Sequence, residues 1–391
     1  MINNRSLLAL TIYSLFFTSN ISAATKVADA RGNAMGNTGV ATADYLTAPF
    51  YNPALTSSYK EEDDFGIFVA VGLGVNDTDE TYNTIDDFSA FVDEVDDVSG
   101  TGTAQDIETV KDYLDELDGN QLSVNLGVGV AIALPTKALS TNVFVRSYGE
   151  VFATIDTVES TTVSDWNEAS DAFDNSTVEL LSFGYAEVGL ALAKEFKIAG
   201  ERISFGISPK YQYMTTYGKY AYIDDYDLDD FSDSSISKSA INVDLGATWF
   251  KGNFRAGIAA KNLIPQEIGI EYTDANNYSA SDVYNLDTQV TIALAYSSDY
   301  FTAAVDADLT KQTRFKNMDD DTQFVRFGLE GNAWGWAQLR AGYEIDLQDT
   351  YDNTITAGIG LSPFDLINVD IAASYTSPTE AGLSTTFALT F

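Results

Sequence analysis

Two-residue alternation recurs fourteen times along this 391-residue chain, and no other feature narrows its fold as much. Ile241, Val243, Leu245, Ala247 and Trp249 oppose Asn242, Asp244, Gly246 and Thr248. Ile367, Val369, Ile371, Ala373 and Tyr375 oppose Asn368, Asp370, Ala372 and Ser374. Successive side chains of a strand point to opposite faces, so each run builds a wall with one apolar face. The runs fall at 63–75, 121–134, 140–155, 178–193, 202–216, 238–250, 253–263, 285–297, 300–311, 322–331, 335–346, 354–362, 366–376 and 381–391. A soluble sandwich alternates too, so the period alone leaves both architectures open.

Connection lengths separate them. Runs 2, 4, 6, 8, 10 and 12 are followed by short turns, whereas runs 1, 3, 5, 7 and 9 are followed by long loops. An even number of strands with short turns at one end and long loops at the other marks an outer-membrane barrel. Trp249, Phe250, Phe254, Tyr296, Tyr300, Phe301, Trp334, Trp336 and Phe364 sit beside the short turns, where a membrane interface accommodates amphipathic rings. The last run alternates Leu383, Thr385, Phe387, Leu389 and Phe391 with small or polar residues. Phe387, Leu389 and Phe391 are therefore expected to be the signal read by barrel-assembly machinery.

The first residues read as a secretory leader: Arg5, an apolar core over 7–17, and Ile21-Ser22-Ala23 before a cleavage point. That core is too short to span a membrane as a helix. A formal charge of −37 argues against direct nucleic-acid contact, which needs clustered cations. Without cysteine or histidine there is no thiolate site, no disulfide and no His-based catalysis, so neither an enzyme nor a cofactor is expected. The acid is concentrated: 77–118 holds fifteen acidic residues and one lysine, 156–176 holds six acids, and Asp224, Asp225, Asp227, Asp229, Asp230 and Asp233 crowd the third loop. This reads as a solvated outer surface, with no loop of EF-hand spacing. Within the first loop, 81–95 and 104–117 have helical spacing.

Between leader and first strand lies a Gly/Ala-rich segment with Gly36 and Gly39, followed by Asn52-Pro53-Ala54. Small residues permit close packing in a confined lumen. The pattern resembles the long-chain fatty-acid transporter (FadL-like) superfamily, and most closely the outer-membrane proteins called conjugal-transfer TraF-like. The resemblance implies one antiparallel barrel of about fourteen strands at 61–391, a leader at 1–23, a lumen plug at 24–60 that hands over at Asn52-Pro53-Ala54, and a partly helical acidic loop at 77–119. It also implies an outer-membrane protein of a Gram-negative envelope, monomeric among lipid and lipopolysaccharide. Its activity would be passive uptake of a hydrophobic small molecule, with sideways exit near a kinked strand. The acidic loops would repel a carboxylate and favour a neutral ligand.

Strand parity sends Phe144, Arg146, Tyr148, Phe152, Phe183 and Tyr185 inward as candidate ligand contacts, and marks Gly149 as a candidate kink. These rings either line a pocket or pack against the plug. Arg326, Glu330, Arg340 and Glu344 are the best candidates for a lumen ion lattice. Two functions stay open. An apolar pocket with a path to the wall indicates transport. A filled, salt-bridged interior indicates a platform for contact, secretion or conjugation.

Overall fold

The computed structural model describes residues 29–60, 63–77, 79–98, 101–223, 235–273, 279–318, 320–333 and 335–391. The leader, the start of the plug segment, the Asp224–Asp233 acids and Trp334 lie outside them.

Among the described residues, sixteen strands form in chain order. The first seven are β1 (Gly66–Asn76), β2 (Gln121–Leu134), β3 (Ser140–Asp156), β4 (Thr177–Ile198), β5 (Glu201–Tyr222), β6 (Ile236–Lys251) and β7 (Phe254–Lys261). A hairpin, β8 (Gln266–Thr273) and β9 (Ser279–Leu286), follows. The rest are β10 (Gln289–Ser297), β11 (Phe301–Asp308), β12 (Phe324–Ala333), β13 (Ala337–Asp346), β14 (Thr354–Leu361), β15 (Ile367–Ser377) and β16 (Glu380–Thr390). Fourteen of them close into one antiparallel barrel, with β7 paired to β10 and β1 paired to β16. Closure removes every edge, the condition for a sheet to cross a bilayer.

The outward face is apolar. Val143, Val145, Phe205, Ile207, Leu245, Ile258, Ile359 and Leu383 are all exposed, while the inward-facing Asn142, Phe144, Ser204, Asp244 and Ser384 beside them are buried. A contiguous apolar belt of this kind would be a liability in water and is what lipid requires. Tyr300, Trp336 and Phe364 are exposed beside the short turns, at the level expected for an aromatic girdle.

Two differences from the alternation pattern have physical causes. β4 and β5 are each 22 residues long, because their pairing continues at both ends beyond the stretch that needs an apolar face. The long loop after the seventh strand is itself the β8–β9 hairpin, which takes residues 285 and 286 from the expected eighth wall strand. Its alternation serves a different neighbour, the inner face of the wall.

Over the long-loop end sit helices α3 (Thr81–Val98) and α4 (Ala104–Leu117); α1 (Ala30–Ala34) and α2 (Ala48–Tyr51) precede the barrel. A capping box between Thr103 and Asp106 starts α4. Phe88, Val92, Val110 and Leu114 form an apolar core shared with Trp166 and Phe173. Acidic residues occupy the opposite helix faces, so the loop is charged outside and dry inside.

Candidate functional site

The interior of the barrel is occupied at two levels. At the lower one, residues 29–59 touch the inner face of the wall on many strands. The Arg31 guanidinium donates to both carboxylate oxygens of Glu330 at 2.9 and 3.0 Å. The Ala30 and Gly36 N–H groups donate to Thr386 and Thr356 at 2.9 Å each. Asn37 Nδ2 donates to Glu344 at 2.6 Å. The N–H groups of Gly39 and Val40 share one oxygen of Asp306, each at 2.9 Å. Asn142 Nδ2 reaches the carbonyls of Tyr45 and Leu46. Lys261 donates to the Phe50 carbonyl.

The motif residues explain this seating. Gly36 has φ +63°, and a Cβ there would stand 2.7 Å from the Phe327 carbonyl. At Gly39 a Cβ would overlap the ring of Tyr51. Asn52 holds the two halves together: Nδ2 donates to Val40 O at 2.8 Å and to Thr248 Oγ1 at 3.1 Å, and Oδ1 accepts from the Ala54 N–H at 3.0 Å. That last bond opens a short 3₁₀ turn, Pro53–Ser57. Across the wall, Gly206 and Gly246 face each other. A Cβ on the first would lie 2.3 Å from Pro53, and on the second 1.9 Å from Asn52 Oδ1. Asn52-Pro53-Ala54 thus lies directly on the backbone of this glycine pair, with the Ser204 and Thr248 hydroxyls beside it as hydrogen-bond partners. Asp29 caps α1, and its carboxyl is pushed up to about 6, first by burial and then by Asp44 and Asp370.

At the upper level, β8–β9 folds against the inner faces of β3, β4 and β5. Ile268, Ile270, Tyr284 and Leu286 pack on Tyr148, Phe152, Leu181, Phe183, Tyr185 and Met214. Tyr284 stacks on Phe183 with centroids 3.6 Å apart and planes 8° apart. Phe315, from the loop after β11, meets both Tyr284 and Phe152 edge-on. Glu150 is the polar centre, accepting from Tyr284 at 2.8 Å, Tyr148 at 3.0 Å and Arg314 at 3.3 Å. Arg314 also pairs with Asp320, whose carboxyl is raised chiefly by burial and lowered by that arginine.

The six inward candidates are therefore divided. Phe144 packs edge-on to Phe50 of the lower segment, with centroids 5.8 Å apart. Arg146 pairs with Glu187 at 3.0 Å and lies over the Tyr185 ring. Tyr148, Phe152, Phe183 and Tyr185 belong to the aromatic cluster. All six are buried. Only Phe152 among them lines the cavity of about 320 Å³ at the mouth, together with Asn76, Gln121, Asp320 and Tyr351. Pairing of β3 with β2 and β4 runs through Gly149 without a register shift. The β4–β5 ladder, by contrast, skips Leu190 and Ala191 opposite Pro209 and Ser208, where proline offers no N–H.

Ion lattices fill the space between the strands. Glu187 and Asp244 flank Lys210 at 3.2 and 2.9 Å. Arg326 reaches Asp308 and Glu344, while Arg340 joins Glu330 to Asp370 at 2.7 and 2.5 Å. Sequence reasoning missed the hairpin residues and Arg314–Phe315. The alternation of Ile268, Ile270 and Tyr272 was the available signal.

A family model described as "F plasmid transfer operon, TraF, protein" matches residues 49–308, about two thirds of the chain, and the chain belongs to that family. No curated protein matches it. Among solved structures it is similar to a deltaS2S3 mutant of TodX, described as a monoaromatic hydrocarbon channel. That match has 10% identity and a TM-score of 0.55, over 93% of this chain and 98% of that one. It is also similar to the P. putida toluene transporter TodX, at 11% identity and TM-score 0.52, over 94% and 99%. At such identity the likeness is one of fold.

Proposed function

We propose that this TraF-family barrel resides in an outer membrane and admits a neutral hydrophobic molecule of about one aromatic ring by diffusion. The segment 24–60 acts as its plug and the β8–β9 hairpin as its movable gate. The observation that carries the reading is the packed aromatic cluster around Tyr284, which meets the mouth cavity at Phe152 and holds its polar groups, Glu150 and Arg314, together at one point. Channels for monoaromatic hydrocarbons among its structural relatives support the substrate class. The acidic loops argue for a neutral substrate. Exit is sideways, at the interruption of the β4–β5 ladder opposite Pro209. No step needs a catalytic group.

The filled, salt-bridged interior favours a second reading, a closed platform presenting acidic loops to a partner. Toluene uptake by cells carrying the barrel separates the two. Transport predicts uptake above barrel-free cells, faster in Tyr284→Ala. Equal uptake with and without either protein supports the platform. Because the chain has no native cysteine, a Leu190→Cys/Pro209→Cys pair gives a clean lock. Oxidation should stop uptake and reduction restore it, whereas indifference to oxidation removes the exit from this seam.

A further inference from the structure

Outside the barrel, near the short-turn end, a groove of about 570 Å³ runs across β4 to β7. Its shape follows from register. One row across the strands reads Lys194, Phe205, Ala247, Ile258, and the next reads Leu192, Ile207, Leu245, Ala260. Ala247 therefore lies between two large side chains, and Ala260 beside a third, so the apolar wall is hollow where neighbouring outward positions are filled. The glycine pair behind it keeps this part of the wall thin.

The single charged residue lining this groove is Lys194. It points to the lipid side and makes no ion pair among the described residues; its ammonium lies 5.9 Å from the Phe196 ring centroid. Lys197 is exposed on the same strand end. Arg202 and Lys251 are nearby but tied to Glu195 and Glu201. In a chain of charge −37, cations gathered here, opposite the acidic long-loop end, set up a local attraction for anions. A lysine on an apolar wall needs water or an anion at its tip.

We propose that the groove is a phospholipid site. One acyl chain lies over Ala247 and Ala260, and the anionic headgroup phosphate rests against Lys194. This inference needs only that the barrel sit in a bilayer and is independent of transport. The test is native mass spectrometry of the delipidated barrel in detergent, titrated with phosphatidylglycerol and, separately, phosphatidylcholine. Heat-modifiable gel mobility identifies folded variants. One phosphatidylglycerol should bind ahead of all others, with at least about fivefold weaker binding in Lys194→Glu, as one lost surface cation implies. Ala247→Phe, which fills the groove with another apolar group, should weaken it similarly, while Lys194→Arg should retain it. Binding of several lipids with no preference between headgroups, or affinity unchanged in Ala247→Phe or in Lys194→Glu, would mean ordinary annular lipid and overturn the proposal.

Discussion

The lower and upper contents of the lumen are held by different balances of polar and apolar contact. Residues 29–59 are tied to the wall by charge-assisted and backbone hydrogen bonds through Glu330, Glu344, Asp306, Thr356 and Thr386. Each buried donor would be costly to strand, so the segment is fixed in one position. The β8–β9 hairpin buries far more ring and aliphatic surface, and its polar ties to the wall are local ones: Tyr284 to Glu150, Tyr272 to Glu179, Lys238 to the Glu267 carbonyl and Thr216 to the Gly269 carbonyl. Apolar contacts are non-directional and can be exchanged for those of a hydrophobic ligand. Under the proposed function the lower element stays in place while the upper one gives way to such a ligand.

The contrast can be broken most severely from below. Gly206→Val puts a Cβ into Pro53 and Ala54 backbone that has nowhere to go, at a cost above about 3 kcal/mol. The segment should unseat, and protease added from the short-turn side should cleave residues 29–59 while the barrel stays intact. From above, Phe183→Ala removes the stacking partner of Tyr284 and should weaken hairpin docking by about 3 kcal/mol. Hydrogen exchange over 266–286 should then rise, with 29–59 unchanged. Asp306→Ala leaves the Gly39 and Val40 N–H groups without their acceptor, for about 2 kcal/mol. Exchange at those two amides should speed up, and the hairpin should be unaffected.

The smallest effect is one of pH. Asp29 titrates near 6 in place and at 3.8 when free. The folded state therefore holds the proton more tightly, and seating should gain stability as pH falls through 6, complete below 3.8. We expect about 1 kcal/mol, read as slower protease release at pH 5 than at pH 7.5 and abolished in Asp29→Asn.

The wall was legible because lipid imposes one rule on every strand; Ile241 to Trp249 and Ile367 to Tyr375 announce their faces without reference to any partner. The helices α3 and α4 were legible for the same reason, since water imposes the opposite rule on one face. Gly36, Gly39 and Asn52 showed as a motif, yet their partners Tyr51, Val40 and Gly246 follow only from three-dimensional contact. Of the candidate lattice, Arg326 pairs with Glu344 and Arg340 with Glu330, and register adds Asp308 and Asp370 as their second partners. The hairpin stayed hidden because its buried face meets the inside of β3 to β5, and no rule of solvent marks such a surface. Phe144 was grouped with Tyr148 by parity, and height along the barrel, which parity does not encode, assigns them to different levels.

The most direct test of this division is hydrogen exchange on the intact barrel in lipid nanodiscs, comparing peptides from 29–59 and 266–286 with and without toluene. A movable upper element predicts faster exchange in the hairpin and a change on adding toluene that is confined to it and to the Phe315 loop. Equal protection of both regions, with no response to toluene, would contradict a gate and leave a sealed barrel.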